Sequence, residues 1–387
     1  MANIFYITQI NIDFGVIATL GEECKKYGIT KPLIITDQGI KAVGILDIAL
    51  KHLSHLGPGK TCVFDQTPSN PTEHAVRDAV ELCKQNGCDG LIALGGGSSI
   101  DCAKGVAIAA THSGPLKNYA TIEGGSPKIT DKVLPLIAVP TTAGTGSEVA
   151  RGAILIVEDG RKLGFHSWHL VPKVALLDPE LTLALPPLLT AATGMDAIAH
   201  CMETFMAPSF NPPADGIALE GLRRGWLNIQ KATLSGLDKE ARMNMMCASM
   251  QGAMAFQKGL GCVHSLSHSL GGVNPALHHG TLNAVFLPAV IRFNSRAESI
   301  VKESRLQRMA SAMNLKSSSP EDACLIITNA IKDMNAALGL PKGLSDMGVK
   351  EDWFDKIIAG ATADHCHKTN PRIASESDYV QMLTESM

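Results

Sequence analysis

The sequence predicts an N-terminal α/β domain built on a parallel sheet, followed by a C-terminal α-helical domain. Up to residue 183, short apolar runs of strand length alternate with longer segments whose apolar residues recur at helical spacing. Beyond the Pro186-Pro187 pair, the chain continues in long stretches rich in Ala, Met and Leu. The 387 residues suffice for two domains, which we place at 1–183 and 184–387.

The elements of the first domain follow from these apolar runs. Strands are predicted at 32–37, 61–65, 91–94, 134–139 and 174–178, and helices between them at 73–85 and 99–110. Alternation of this kind is typical of a parallel sheet with helices on both faces.

The second domain is predicted to be helical throughout. Its longest helical patterns cover residues 189–206, 214–232, 241–257 and 320–338. No β-branched alternating run of convincing length occurs beyond residue 185.

Composition excludes several classes of function. Lys and Arg number 34 against 37 Asp and Glu, a net charge of −3 that offers no counter-charge for a nucleic acid backbone. The apolar runs are too short to cross a membrane, and the first residues carry no secretory pattern, so we expect a cytoplasmic protein. Ten cysteines without a Cys-x-x-Cys pair indicate thiols rather than a disulfide framework.

A glycine-rich turn, Gly95-Gly96-Gly97-Ser98, follows the predicted strand 91–94. Glycines let a ligand approach the backbone, and the N-terminus of the next helix favours an anion such as a pyrophosphate. Ser98 is expected to cap that helix. The turn is not the common G-x-G-x-x-G pattern, and a turn that binds no ligand is the alternative.

Two further features lie at predicted carboxyl ends of strands, where open α/β sheets bind ligands. Residues 140–148 form a second turn with four hydroxyl side chains and two glycines. Asp37 ends the first clear strand, where a carboxylate accepts a hydrogen bond from the ribose 2′-hydroxyl of NAD. The alternative for Asp37 is an aspartate that only stabilises a turn.

The helical half contains a pattern typical of a metal site. Asp196 and His200 are four residues apart, as are His264 and His268, and His279 follows a second histidine at position 278. Such spacing places side chains on one helix face. Fe²⁺, Zn²⁺, Co²⁺ and Mn²⁺ all suit carboxylate and imidazole ligands. The alternative is a set of buried histidines without metal.

Taken together, the motifs resemble those of the iron-containing alcohol dehydrogenase family along nearly the whole chain. They are Pro68-Ser69-Asn70-Pro71-Thr72, Gly95-Gly96-Gly97-Ser98 with Asp101, the turn at 140–148, Ala191-Ala192-Thr193-Gly194-Met195-Asp196 with His200, His264 with His268, His279-Gly280 with Asn283, and Thr369-Asn370-Pro371-Arg372.

The resemblance implies an oxidoreductase that interconverts a primary alcohol and its aldehyde by hydride transfer to NAD. Its metal would be Fe²⁺, with Zn²⁺ as the alternative, held by Asp196, His200, His264 and His279. His268 would lie beside the nicotinamide without binding metal and would relay a proton. The oligomeric assembly usual in that family, together with the apolar segment 4–7, predicts a homodimer or larger homo-oligomer.

The resemblance also assigns the cofactor contacts, in a cleft between the two domains. The residues implied are Asp37 at the adenosine ribose and, along the rest of the cofactor, Asn70, Gly96, Gly97, Ser98, Asp101, Thr141, Thr142, Thr145 and Lys162.

Two departures from the family pattern leave questions open. Ten residues separate His268 from His279, where many family members have nine, so His278 is an alternative ligand. Gly152 stands where relatives often carry a larger side chain, which predicts a wider pocket.

The same architecture allows other activities. The alternatives within it are a maleylacetate reductase, a polyol dehydrogenase or a dehydroquinate synthase-like lyase. A non-catalytic regulator that binds nucleotide and metal is the alternative outside it.

Overall fold

The computed structural model describes Ile4, Tyr6 and residues 8–387, so Phe5 and Ile7 of the predicted association segment lie outside the described residues. The chain forms two compact units. The sheet unit contains Tyr6–Thr142 and Ser147–Ala184, and the helical unit contains Leu185–Met387. The segment Ala143–Gly146 clusters with the helical unit, although the chain on either side of it belongs to the sheet unit.

Six parallel strands form the main sheet of the first unit. They are β1 (Gln9–Ile12), β2 (Pro32–Ile35), β3 (Cys62–Phe64), β4 (Gly90–Gly95), β5 (Leu136–Pro140) and β8 (Val174–Leu177), in the order β1-β8-β5-β4-β2-β3. The strands β6 (Gly152–Ile156) and β7 (Lys162–His166) form a separate antiparallel hairpin. Sequence analysis did not identify β1 or this hairpin.

Helices cover both faces of the parallel sheet. They are α1 (Leu20–Lys26), α2 (Gln38–Ala42), α3 (Ile45–Leu53), α4 (Glu73–Asn86) and α5 (Gly97–Ala109). One apolar core packs α4 and α5 against the sheet, and a second packs α1 and α3 against its opposite face. Strands buried on both sides must be apolar throughout, which explains continuous runs such as Leu91–Leu94.

The strand order fixes where a ligand can bind. From β2 the chain moves outward to β3 and then crosses back to β4, from which β5 and β8 continue in the other direction. The direction in which successive strands are added to the sheet therefore reverses between β2 and β4. In open α/β sheets, ligands bind beside the carboxyl ends of strands at such a reversal. Asp37 follows β2 and the glycine-rich turn follows β4, so both lie there.

The regular structure described from residue 185 onward is helical. The helices are α6 (Pro187–Met206), α7 (Pro212–Leu234), α8 (Lys239–Met254), α9 (Cys262–Val273), α10 (His279–Asn294), α11 (Glu298–Lys302), α12 (Arg305–Ala312), α13 (Pro320–Ala337), α14 (Phe354–Ala363) and α15 (Glu376–Ser386). The predicted fold class, a parallel α/β domain followed by a helical domain, is confirmed. In the described part of the chain, no helix has the length and apolar character needed to cross a membrane.

Helix α10 contains a proline, and a side chain of a neighbouring helix replaces the hydrogen bond that the proline cannot make. Pro288 has no N–H for the carbonyl of Ala284, which lies one turn earlier. Asn335 on α13 donates its Nδ2 hydrogen to that carbonyl at 2.9 Å. The side chain of Asn335 thus replaces the missing helical hydrogen bond and ties α13 to α10, which carries His279.

We expect Asn335→Ala to lower the free energy of unfolding of the helical unit by about 1–3 kcal/mol, because it leaves a buried carbonyl without a donor. Thermal unfolding of the purified variant measures the loss. Pro288→Ala restores the backbone N–H that can donate to the Ala284 carbonyl, so Asn335→Ala should lower the free energy of unfolding less in that background. An equal loss in both backgrounds would show that Asn335 does not replace the missing helical hydrogen bond.

Candidate metal centre and cofactor turns

Three helices of the helical unit bring a carboxylate and three imidazoles together. Asp196 and His200 lie one turn apart on α6, His264 lies in the first turn of α9, and His279 is the first residue of α10. The first three side chains are almost completely buried, whereas that of His279 keeps 29% of its surface exposed. Of these four side chains, His279 is therefore the one that solvent reaches most.

The ligand atoms converge on one carboxylate oxygen. Asp196 Oδ1 lies 3.6 Å from His200 Nε2, 3.7 Å from His264 Nε2 and 3.7 Å from His279 Nε2. Ligand atoms of Asp196, His264 and His279 all lie within 4.8 Å of one another. One oxygen and three nitrogens around a common point form the donor set that a divalent transition metal accepts.

Asn283, one turn after His279 on α10, places one hydrogen-bond donor against three of these atoms. Its Nδ2 lies 2.7 Å from Asp196 Oδ1, 3.2 Å from His264 Nε2 and 3.1 Å from His279 Nε2. An amide carries only two hydrogens, so it cannot satisfy three acceptors at once. Within the described part of the chain, its own buried Oδ1 has no hydrogen-bond partner. The residues present therefore fit a metal ion better than they fit one another.

Hydrogen bonds outside the donor set orient two of the imidazoles. Glu203 Oε2 lies 2.5 Å from His264 Nδ1, and the Gly144 carbonyl lies 3.3 Å from His200 Nδ1. When Nδ1 donates its proton to these acceptors, each Nε2 keeps its lone pair for a metal. Sequence analysis missed Glu203, although its spacing of three from His200 and seven from Asp196 places it on the same helix face.

The charges of the cluster are strongly coupled. Burial alone would raise the pKa of Asp196, but the neighbouring imidazoles, with His200 first, hold it well below its usual range. Burial lowers the pKa of His200 to about 4. Burial also opposes protonation of His264, yet the carboxylates of Asp196 and Glu203 outweigh it and raise its pKa to about 9. The carboxylate thus stays charged and attracts a cation.

Gly280 explains why α10 can begin beside Asp196. A Cβ atom at position 280 would lie 2.2 Å from the Ala192 carbonyl oxygen and 3.2 Å from Asp196 Cβ. Any side chain there would push α10 away from α6. The absence of a side chain lets the helix N-terminus, which favours negative charge, approach the carboxylate.

The loop before α10 contains the extra residue noted in the sequence. Asn274 ends α9 and builds a turn: its Oδ1 accepts from Ala276 N at 3.1 Å and its carbonyl accepts from Leu277 N at 3.2 Å. Beyond this turn, the exposed His278 caps α10 with extended backbone. His279, not His278, lies with its Nε2 beside Asp196.

His268 has a different partner from the other three histidines. Its Nδ1 lies 3.0 Å from Asp364 Oδ2, and its ring stacks on that of His279 at 5.3 Å between centroids. Burial would raise the pKa of Asp364, but His268 holds it well below its usual range. Sequence analysis missed Asp364, because nothing in its spacing links it to His268.

The neighbouring run His365-Cys366-His367 is buried at two of its three positions. Cys366 and His367 are the buried residues, and His367 Nδ1 lies 2.9 Å from the Tyr379 hydroxyl. Burial raises the pKa of the Cys366 thiol well above its usual value, so it stays protonated. His365 alone is partly exposed, and its ring stacks on His268 at 6.0 Å.

In the sheet unit, Asp37 contacts the glycine-rich turn and also caps α2. Its Oδ1 accepts from Ile40 N at 3.0 Å, while its Oδ2 accepts from Ser99 Oγ at 3.3 Å. Gly95 has a φ of +152° and leaves no room for a Cβ, which would lie 2.4 Å from Ser99 Oγ. The structure therefore brings the carboxylate to the turn that follows β4.

The two predicted ligand turns meet at the same sheet edge. A Cβ atom at Gly96 would lie 3.3 Å from Thr142 Oγ1, and Thr141 N donates to the Gly95 carbonyl at 3.0 Å. The buried hydroxyl of Thr141 has no hydrogen-bond partner among the described residues. Thr145 belongs to the segment that clusters with the helical unit.

The prediction that Ser98 caps α5 is wrong. Gly96 is the N-cap residue, and the helix has no side-chain cap. Ser98 Oγ donates instead to the Ser69 carbonyl at 2.5 Å, because the serine already lies within the helix. The implied cofactor residue Asn70 follows directly and accepts from Lys162 Nζ at 3.0 Å.

Asp101, on α5 after Gly97, has both carboxylate oxygens engaged by the protein. Its Oδ1 accepts from Ser147 Oγ at 2.6 Å and its Oδ2 from Ile154 N at 2.9 Å. The fully buried Lys104, one turn later, donates to the Ser147 carbonyl at 2.7 Å. Burial lowers the pKa of Lys104 to about 8. Together these two side chains fix the chain that leaves the second turn.

The prediction of a wider pocket at Gly152 is also wrong. A Cβ at this position would lie 2.9 Å from the imidazole of His166, which faces it across the hairpin. His166 Nδ1 is in turn 2.8 Å from Thr121 Oγ1. The space that a larger residue would take at position 152 is thus filled by His166.

Comparison with known proteins gives the family. The profile described as iron-containing alcohol dehydrogenase matches residues 8–179, and that of the C-terminal domain of the Fe-containing alcohol dehydrogenase family matches residues 190–387. This chain belongs to the iron-containing alcohol dehydrogenase family. The resemblance inferred from the sequence motifs is confirmed, and the protein is an oxidoreductase of that family.

Three members of the iron-containing alcohol dehydrogenase family are similar over the full length. A 4-hydroxybutyrate dehydrogenase of Cupriavidus necator is 62% identical over 391 residues, covering 100% of both chains. A 1,3-propanediol dehydrogenase of Citrobacter freundii is 38% identical and covers 97% of both. The solved structure of an alcohol dehydrogenase from Oenococcus oeni is 31% identical, with a TM-score of 0.94 over 100% of both chains.

Five alanine variants test which histidines hold the metal. We expect His200→Ala, His264→Ala and His279→Ala to lose most of their bound metal, because each removes a nitrogen aimed at Asp196. His268→Ala and His278→Ala are the matched controls and should keep near-normal metal. Metal content of the purified variants is the measurement. Loss of metal from His278→Ala with retention in His279→Ala would reverse the assignment.

Proposed function

We propose that this enzyme interconverts a primary alcohol and its aldehyde with NAD and one divalent metal ion. The observation that carries the proposal is the convergence of Asp196, His264 and His279 on a point that Asn283 cannot satisfy. The residues that would hold the metal are Asp196, His200, His264 and His279. We propose iron as the metal, with zinc as the alternative.

When bound, the metal supplies Lewis acidity at the substrate oxygen, and the nicotinamide accepts or returns the hydride. The protein's own residues prepare the site for both. Glu203 and the Gly144 carbonyl would accept the Nδ1 protons of His264 and His200, so that a bound metal would meet the lone pair of each Nε2. The burial of Asp196, His200 and His264 lowers the local dielectric constant, which strengthens electrostatic interactions at the proposed metal position.

His268 is proposed to move the hydroxyl proton. Its Nδ1 lies against Asp364 Oδ2, so Nδ1 carries a proton and Nε2 is left as the acceptor. Nε2 can then take the proton of the alcohol as hydride leaves the carbon, and can return it when an aldehyde is reduced. Asp364 acts by orienting the ring and by stabilising its charged form.

The proposed cofactor site uses the carboxyl ends of β2, β4 and β5. Asp37 would accept a hydrogen bond from the ribose 2′-hydroxyl, and the start of α5 would face the pyrophosphate. The remaining contacts are proposed for Asn70, Gly96, Gly97, Ser98, Asp101, Thr141, Thr142, Thr145 and Lys162. The hydrogen bonds of Asp101 within the protein favour an indirect contribution, in which it holds the second turn in place.

Location and assembly also belong to the proposal. We propose a cytoplasmic enzyme that acts on small alcohols or aldehydes and assembles as a homodimer or larger homo-oligomer. Light scattering of the purified protein measures the assembly.

Metal removal tests the activity directly. We expect chelation to abolish turnover of short primary alcohols, diols and aldehydes, and anaerobic reloading with Fe²⁺ or Zn²⁺ to restore it, with NAD preferred over NADP. Initial rates with each cofactor are the measurement. Activity that survives complete metal removal would contradict the metal-dependent mechanism. Binding of NADH and metal without turnover would instead indicate the non-catalytic regulator.

Cofactor preference should follow Asp37, because a carboxylate repels the 2′-phosphate of NADP. We expect Asp37→Asn to raise the ratio of kcat/KM with NADP to kcat/KM with NAD roughly tenfold, equivalent to about 1.4 kcal/mol. Asparagine keeps an oxygen for the cap of α2, so it removes only the charge. Asp37→Gly removes the charge and the capping oxygen, and should shift the ratio in the same direction. An unchanged ratio in both variants would place Asp37 away from the ribose.

A further inference from the structure

A second cluster of metal-binding side chains lies beside the candidate metal centre, within the same helical unit. It consists of His268 on α9 and of Asp364 and Cys366, which follow the end of α14. One ligand atom from each of the three lies within 4.8 Å of the other two. The imidazole nitrogen, the carboxylate oxygen and the thiol sulfur are all donors that a zinc ion accepts.

A tight turn of the chain brings Asp364 and Cys366 together. Cys366 N donates to Asp364 Oδ1 at 2.7 Å, while Asp364 Oδ2 lies 3.0 Å from His268 Nδ1. Burial, and after it the charge of Asp364 and a hydrogen bond from the thiol to that carboxylate, raise the pKa of Cys366. The carboxylate therefore already contacts both of the other donors.

The cluster is enclosed but remains accessible to an ion. The side chains of His268 and Asp364 keep 15% and 16% of their surface exposed, whereas Cys366 is only 1% exposed. A divalent cation bound by one carboxylate, one thiolate and one neutral imidazole forms a centre without net charge. Such a centre is far less costly to bury than an isolated ion.

The donors of this cluster differ from those of the candidate metal centre beside it, whose His279 ring stacks on His268. The candidate metal centre offers one oxygen and three nitrogens, whereas the second cluster adds a sulfur. Thiolate ligands favour Zn²⁺ over Fe²⁺. With three protein ligands instead of four, the second cluster should bind metal more weakly and fill after the first.

We propose that His268, Asp364 and Cys366 bind a second metal ion, a thiophilic divalent cation such as Zn²⁺, with water as the fourth ligand. The ion binds the nitrogen of His268 that faces Asp364, which is Nδ1. Binding releases one proton in total, because the Cys366 thiol is deprotonated while the imidazole proton moves from Nδ1 to Nε2.

Occupation of the second site inhibits the enzyme. With metal on Nδ1 and the proton on Nε2, neither nitrogen of His268 can accept the proton of an alcohol. This consequence rests on the proposed function, in which His268 moves that proton. Binding of the second ion does not depend on that role, so the two are tested separately.

Cobalt distinguishes the two sites by absorption, because only the second contains sulfur. We expect the metal-free wild-type protein, titrated anaerobically with Co²⁺, to bind two equivalents and to develop thiolate-to-cobalt charge-transfer absorption in the near ultraviolet. Cys366→Ala should bind one equivalent, which also shows that it folds, and should lack this absorption. Cys324→Ala removes a cysteine of α13 outside the cluster and should match the wild type.

A wild-type protein without thiolate absorption, or absorption that survives in Cys366→Ala, would overturn the proposal. Asp364→Asn provides a second variant that leaves the buried cysteine in place. It should weaken binding of the second Co²⁺ by at least about tenfold, since even groups that only support a ligand contribute that much to metal affinity. Unchanged affinity for the second ion in Asp364→Asn would also overturn the proposal.

Zinc inhibition tests the functional consequence. We expect enzyme loaded with Fe²⁺ to lose turnover of 1-butanol as Zn²⁺ is added, while metal analysis shows that iron is retained. In Cys366→Ala the inhibition constant for Zn²⁺ should rise at least about tenfold. Equal inhibition of both proteins, or inhibition that accompanies loss of iron, would place zinc at the first site and overturn the inhibitory role. If the loaded wild type turns over no alcohol or aldehyde, the proposed function fails, and the Co²⁺ titration still decides whether the second site exists.

Discussion

The helical unit depends on a buried negative charge surrounded by atoms that all need a positive partner. The charge is that of Asp196, and three imidazole Nε2 atoms lie within 4 Å of its Oδ1. Burying a carboxylate without a positive partner is costly, and a proton on His264, whose pKa is raised to about 9, supplies only one positive charge to the cluster. A divalent cation satisfies all four atoms at once. Metal binding should therefore also contribute to the stability of the packing among α6, α9 and α10.

Close packing around this point requires small residues where elements cross. Gly280 lets α10 begin against the Ala192 carbonyl, and Gly144 lies where a Cβ would be 2.8 Å from Thr193 Cβ. Gly146 combines a φ of +63° with an even closer approach, 2.2 Å, to Ala253 Cβ. These contacts explain why Ala143–Gly146 clusters with the helices although its neighbours in sequence belong to the sheet unit.

Sequence reasoning selected the candidate metal side chains that the structure brings together, because helical spacing is a local property. Asp196 with His200, and His264 with His268, are each one turn apart, so one face of each helix could be inferred. The same spacing could not show that His268 turns away to Asp364, since that partner is 96 residues distant in sequence. Only the family resemblance separated His268 from the ligands. Similarly, Ser98 was predicted to cap the helix, but the helix begins at Gly97, two residues before the predicted start, so Ser98 already lies inside it.

In the sheet unit, structural and functional interpretations of the same residue turn out to be compatible. The turn aspartate and the cofactor carboxylate were alternatives for Asp37 in the sequence, yet its two oxygens do different things. Oδ1 caps α2, while Oδ2 accepts a hydrogen bond from Ser99 in the first turn of α5. The cap fixes the side chain at the point where the strand order reverses, and a fixed carboxylate loses little entropy on meeting a ribose. A residue that stabilises the fold locally would thereby be oriented in advance for the cofactor proposed to bind at this point of the sheet.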